Sequence, residues 1–209
     1  PLTVARPPGE RVLGICRHFA LLQTAFLRDQ GMSARVRCGF SSYFQPGKWV
    51  DHWITERWEG GRWVRDDPQV DDLIAERFGF DFDAHDQPPG RFLSGAEAWE
   101  GIRAGDEDPQ DFGIFDMWGE AFVSGNVISD FACLNKVELL PWDHWGMKIG
   151  PFGPVPDDMA AVLDDLAALV SRDDAAAIRA RYEADDRLRA PSDITSFRDG
   201  LDVAVHLDL

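Results

Sequence analysis

Gly14-Ile15-Cys16-Arg17-His18-Phe19-Ala20, Trp49-Val50-Asp51-His52-Trp53 and Trp63-Val64-Arg65-Asp66-Asp67-Pro68 fall within residues 14–69 and decide how the rest of the chain is read. They hold a cysteine, a histidine and an aspartate in that chain order. A thiol, an imidazole and a carboxylate brought together make a nucleophile, a base and a group that orients the base. From position 16 to 29, small or apolar residues recur at Cys16, Phe19, Ala20, Phe26 and Leu27, with Gln23 as the exception. That spacing is one face of a helix, and Gly31 is its stop. Cys16 then sits in the first turn, where free N–H groups and the positive end of the helix dipole favour a thiolate.

Residues 34–44 alternate. Ala34, Val36, Cys38 and Phe40 share one face; Arg35, Arg37 and Gly39 share the other, which reads as wet. Gln45-Pro46-Gly47-Lys48 is a turn. Strands follow over 49–59 and 62–67, joined by Gly60-Gly61, a two-residue hairpin signal. Pairing across that turn sets Glu59 opposite Arg62, Trp58 opposite Trp63 and Glu56 opposite Arg65, so opposite charges and two indoles meet. Carried one step further, the register sets Asp67 opposite Ile54, on the face of His52 and diagonal to it. Diagonal neighbours lie roughly 7–8 Å apart at the backbone, within reach of an imidazole and a carboxylate. Asp66 faces the other way, so the register selects Asp67 unless a bulge intervenes.

The remainder reads as support. Residues 1–11 are an irregular, proline-rich lead-in, 71–78 a short helix and 80–90 an acidic loop. Ser94-Gly95-Ala96-Glu97 is a capping box that opens a helix to Ala104, closed by Gly105. A loop over 106–113 leads to a less periodic helix over 118–134, weakened by Gly119 and Gly125. Residues 136–146 are dense in polar and aromatic side chains. The Pro/Gly run 150–156 marks an internal boundary, dividing 1–150 from 151–209. Beyond it, Met159, Val162, Leu163, Leu166, Leu169 and Val170 form a helical stripe, read as core packing. Ala176, Ile178 and Tyr182 suggest a second helix capped near Asp173 or Asp174, and the two read as a helical hairpin. Val203, Val205, Leu207 and Leu209 alternate, as in a terminal strand.

The 209 residues suffice for one well-buried domain, and the formal net charge of −16 predicts repulsion from nucleic acid and anionic membrane surfaces. Cys16, Cys38 and Cys133 form neither a disulfide framework nor a metal-ligand spacing, which points to a reducing cytoplasm. No apolar run approaches the roughly 20 residues that span a bilayer, and no signal peptide is visible.

The runs around Cys16, the strand Gly31-Met32-Ser33-Ala34-Arg35-Val36-Arg37-Cys38-Gly39-Phe40, Asp51-His52-Trp53-Ile54-Thr55-Glu56 with Trp63, and Asp66-Asp67-Pro68-Gln69 resemble the transglutaminase-like superfamily of papain-like cysteine enzymes. The resemblance covers about the first third of the chain. Segments 130–136 and 140–146 also resemble a tail shared by small bacterial transglutaminase-like proteins. The resemblance implies an α+β fold, a papain-like core in which the cysteine helix packs on an antiparallel sheet carrying the histidine and aspartate. Residues 1–150 would form the catalytic domain, with 151–209 as a helical C-terminal elaboration packed on it. The resemblance also implies Cys16 as nucleophile, His52 as general base then acid, and Asp67 as the group orienting His52. It implies acyl transfer at an amide or ester through a thioester. The donor is then a small molecule or peptide and the acceptor an amine or water, with no cofactor.

Taken singly, each residue has a plainer explanation. Cys16 could be an inert buried thiol, His52 a satisfied structural histidine, and Asp67 a turn residue before Pro68. The constellation makes them functional. A zinc site built on the three lacks a fourth ligand, and the acidic loops lack a calcium-ligand pattern. Arg17, His18, Trp53, Lys136, Glu138, Asp143 and His144 are candidate substrate-pocket residues; Cys38 and Cys133 read as core. The rival reading is a catalytically idle binding module of the same fold.

Overall fold

The Gly60-Gly61 turn generates the centre of the sheet. The computed structural model describes residues 4–148, 150–198 and 201–207. Helix α1 (Cys16–Asp29) leads into β1 (Ala34–Ser41), β2 (Trp49–Glu59) and β3 (Arg62–Asp66). Then come α2 (Asp72–Phe78), β4 (Phe92–Ser94), α3 (Gly95–Ala104), β5 (Phe112–Ile114), β6 (Met117–Trp118) and α4 (Glu120–Leu134). The described chain closes with β7 (Asp143–His144), α5 (Asp157–Ser171), α6 (Ala175–Ala184), β8 (Asp193–Arg198) and β9 (Leu201–His206). The main sheet runs β4-β1-β2-β5-β6, with β3 also paired to β2.

The hairpin register is the one read from charge and aromatic pairing: Glu59 meets Arg62, Trp58 meets Trp63 and Glu56 meets Arg65. The sheet is not antiparallel throughout, however. β5 runs parallel to the start of β2, at Trp49 and Val50. β4 crosses β1 so closely at Gly39 that a Cβ there would stand 2.1 Å from the Leu93 carbonyl oxygen. Only glycine permits that approach.

Three readings of the sequence need correction. The face of β1 expected to be wet is buried: Arg37 is 4% exposed. Strand β4 pairs with β1 only from Gly39 onward, and α4 covers the edge before it. There Asp130 accepts from the Cys38 amide and from two guanidinium nitrogens of Arg37. Helix α1 is also rotated from the predicted orientation. Ala20 and Thr24 are buried against β2, where Thr55 donates to the Ala20 carbonyl, while Phe19 and Phe26 face outward. A threonine pair makes the contact that a purely apolar stripe was expected to make.

The third concerns the C-terminal part. α5 and α6 form as read, with Asp174 capping α6 through Ala176 and Ala177. Yet the segment is not all helical. β8 and β9 form a hairpin, and β8 pairs with β7, so a sheet crosses the boundary placed at residue 150. Leu209, the last of the predicted strand residues, lies outside the described residues.

The core centres on α4, in which every residue of 121–133 is buried. A helix covered on all sides has no polar face and so no clean periodicity. Trp99, Phe131, Leu163 and Leu166 from α3, α4 and α5 meet around it. Trp53 of β2 belongs to a second cluster with Ala20, Val36, Cys38 and Cys133. Among the described residues, no helix is long and apolar enough to cross a membrane.

Candidate active site

Asp67 lies one residue past the last paired position of β3, opposite the direction taken by Asp66. Its Oδ2 stands 2.7 Å from His52 Nε2, and both residues are buried. The carboxylate is held from three directions. The Tyr43 hydroxyl donates to Oδ2 at 2.7 Å, and the Gln69 amide donates to Oδ1 at 3.0 Å. The second bond is an Asx turn closing over Pro68. Gln87 Nε2 donates in turn to the Tyr43 hydroxyl. Asp66 is occupied elsewhere, accepting from Gln23 and Arg57 and facing the His85 ring.

Cys16 is the first residue of α1, half-buried, and its thiol acts on the His52 imidazole, helping to raise it. The amides of Cys16 and Arg17 are in the first turn, where a helix offers N–H groups no partner of its own.

Burial alone would push His52 down. The negative charge of Asp67 and its hydrogen bond outweigh that, the Cys16 thiol adds to them, and the imidazole is raised to about 10. Burial likewise opposes ionisation of Asp67, but the facing His52 charge, its hydrogen bond and the Tyr43 hydroxyl hold the carboxyl below its ordinary range. Cys38 and Cys133 differ. Burial and nearby carboxylates push both thiols well up, so they stay protonated.

An aromatic wall covers the imidazole. Phe44 lies 4.9 Å and Tyr43 6.1 Å from the His52 ring, centre to centre. Phe80 and Phe82 extend the wall from the Tyr43 ring, and Phe78 joins it through Phe44. The sequence reading missed this wall by treating 80–90 as an acidic loop. The spacing of Phe78, Phe80 and Phe82 was the available signal, since an alternating aromatic run presents one face.

The other candidate pocket residues are spread out. Trp53 is fully buried in the second apolar cluster and has no surface to offer a substrate. Arg17 donates to the carbonyls of Glu138 and Leu139, fastening the chain after α4 to α1. His18 Nδ1 accepts from the Ile15 amide and so caps its own helix. Lys136 is exposed with φ 64°, in the left-handed position that ends α4. The Glu138 side chain pairs with Arg28 at 3.6 Å. Asp143 is buried and accepts from the Leu140 amide, and His144 lines a separate cavity. The structure therefore gathers Cys16, His52 and Asp67 and gives most of the others structural work.

Residues 8–68 match the family model of the transglutaminase-like superfamily. The match covers less than a third of the chain, and over that stretch the chain is similar to the transglutaminase-like superfamily. The superfamily is one of cysteine-based acyltransferases and peptidases. The transglutaminase-like match starts before α1 and ends just past Asp67, so it contains α1, β1, β2 and β3 and leaves α2 to β9 outside. Searches of curated proteins and of solved structures find no match.

Proposed function

We propose that this transglutaminase-like chain transfers acyl groups through a thioester on Cys16, drawing the acyl group from an amide or ester. The observation that carries this reading is the buried His52, paired at 2.7 Å with a carboxylate held by two further donors and raised in part by the Cys16 thiol.

In the reactive form the Cys16 proton resides on His52 as an imidazolium paired with Asp67, and the thiolate attacks the carbonyl carbon. The oxyanion develops against the free Cys16 amide; one such donor typically contributes about 3 kcal/mol to the barrier. The C–N or C–O bond then breaks as the imidazolium returns its proton to the leaving group. Water or an amine resolves the thioester by the reverse path, with His52 as base. Asp67 keeps the imidazole in one tautomer and stabilises its charged form.

The pH window follows from the shifts. The folded-state value of His52 lies above its unfolded one, so its pairing with Asp67 stabilises fully below about 6.5 and is lost as pH rises through about 10. Asp67 is depressed, so its contribution holds above the ordinary carboxylate range and is lost as pH falls through its lowered value. The pair therefore stands intact across neutral pH.

Iodoacetamide alkylation of each cysteine against pH, read by peptide mass spectrometry, tests this. Cys16 is expected to react at pH 6 faster than Cys38 or Cys133 reacts at pH 8, and His52→Ala is expected to abolish that advantage. Equal reactivity of all three thiols would overturn the reading.

A further inference from the structure

A second cluster of ionisable groups lies apart from Cys16, His52 and Asp67. A cavity of about 730 Å³ opens beside α4 and the segment that follows it, within the size range of small-molecule sites. Its floor is polar and its walls are apolar. Asp51, the neighbour of His52 in β2, lines it, with Asn126 and Gly125 of α4 and Lys148. Phe122, Trp142, Phe152 and Phe197 are among the apolar residues of the wall.

Each charge on the floor is incompletely satisfied. Asp51 Oδ1 accepts from Asn126 Nδ2 at 2.9 Å, while Oδ2 has no hydrogen-bond partner among the described residues. Asn126 has no slack to rearrange, because its own oxygen faces the Cys38 thiol at 3.3 Å. Lys148 is 5% exposed and spends one N–H on the Pro141 carbonyl at 2.9 Å. An ammonium has three donors, so two remain. Gly125 lies beside this side chain: a Cβ there would stand in ordinary contact with Lys148 Cε, at 3.9 Å. Asp51 and Lys148 feel one another's charge, yet no direct ion pair joins them among the described residues. Two buried opposite charges that do not meet are costly, because each recovers only part of its lost hydration: Asp51 from Asn126, and Lys148 from the Pro141 carbonyl and the Trp145 ring face at 5.1 Å. Burial accordingly pushes Asp51 up to about 6 and pulls Lys148 down.

We infer that this cavity binds a small zwitterion with an apolar body, an α-amino acid with a large apolar side chain, its ammonium on Asp51, its carboxylate on Lys148 and its side chain among the aromatic walls. The rest of the lining favours a zwitterion over a simple carboxylate. Asp116 and Asp202 add negative charge, and His144 adds no positive charge at neutral pH because burial and Lys148 lower it. A plain amine would leave Lys148 unmet. The site uses none of the groups assigned to acyl transfer, so it stands or falls independently of Cys16.

Calorimetric titration of the whole protein with L-phenylalanine, phenethylamine and 3-phenylpropionate tests the inference. L-Phenylalanine is expected to bind at least about tenfold more tightly than either half-ligand, a difference of about 1.4 kcal/mol. Asp51→Asn is expected to erase the advantage over 3-phenylpropionate, and Lys148→Met the advantage over phenethylamine. Gly125→Leu, which fills the cavity beside the Lys148 stem while keeping both charges, is expected to weaken all three. Cys16→Ala is expected to bind L-phenylalanine as the parent does, which separates this site from the thiol chemistry. Absence of binding to the parent protein at concentrations on the order of 10 mM overturns the inference, as does equal binding of the three probes. Should a charge variant fail to fold by circular dichroism, the comparison of the three probes on the parent protein decides alone.

Discussion

Replacing Cys16 with alanine is expected to leave a folded protein whose hydrolysis of an activated ester such as p-nitrophenyl acetate falls by about 10⁴-fold or more. The expectation rests on where the residue stands. Cys16 is half-buried at the open end of α1, outside the large core around α4, so removing one sulfur disturbs little packing. What it removes is the nucleophile, and the remaining groups can only bind and polarise. His52→Ala should cost a similar amount, and combining the two changes should add little, because members of such a unit act together. Circular dichroism and a urea titration establish that the variants are folded. Retention of more than a tenth of the parent rate by Cys16→Ala would sink the thioester mechanism, whatever the fate of the aromatic cavity.

The largest loss of stability is expected from Asp130→Ala, at about 3–5 kcal/mol. Asp130 is fully buried in α4 and accepts three hydrogen bonds: Arg37 Nε at 2.8 Å, a terminal Arg37 nitrogen at 2.7 Å and the Cys38 amide at 3.1 Å. Truncation leaves a buried guanidinium with Glu56, at 2.9 Å, as its remaining ion pair among the described residues, and strands the amide on the β1 edge. Equilibrium urea unfolding measures the cost. Asp130→Leu combined with Arg37→Met is expected to cost less than Asp130→Ala alone, since removing both charges avoids leaving one uncompensated. A loss under about 1 kcal/mol for Asp130→Ala would show that water reaches Arg37 and that α4 does not seal this edge.

Much of this architecture was legible where the deciding interactions are local. Gly60-Gly61 with its flanking charges and tryptophans sets the β2–β3 register, and two further residues bring the count to Asp67. Ser94 and Glu97 form the expected capping box, and Gly105 ends α3 in the left-handed conformation. The illegible parts depend on partners far along the chain. Alternation in 34–41 cannot say that α4 arrives from some 90 positions later to bury Arg37. Nor can it place Trp53 in a core shared with Cys133. The same holds for Tyr43, whose role at Asp67 depends on a hydroxyl reaching across 24 positions. β5 joined the sheet parallel to β2 although its three residues carry no period of their own. At the site, chain order and one hairpin picked out the His52–Asp67 contact. The aromatic cover needed the fold.

The burial of α4 and the exposure of α2 have a dynamic consequence. Helix α4 buries every residue over 121–133, so its amides are expected to exchange among the slowest in the molecule. Helix α2 buries none of its residues, and it leads directly into Phe80 and Phe82. Segments with so few buried contacts open by local fluctuations that cost far less than global unfolding. The surface beside His52 therefore rests on a rigid sheet on one side and on a readily exchanging segment on the other. Local opening of α2 is therefore expected to admit solvent to the imidazole while the sheet stays folded, with faster amide exchange in α2 than in β2 as the check.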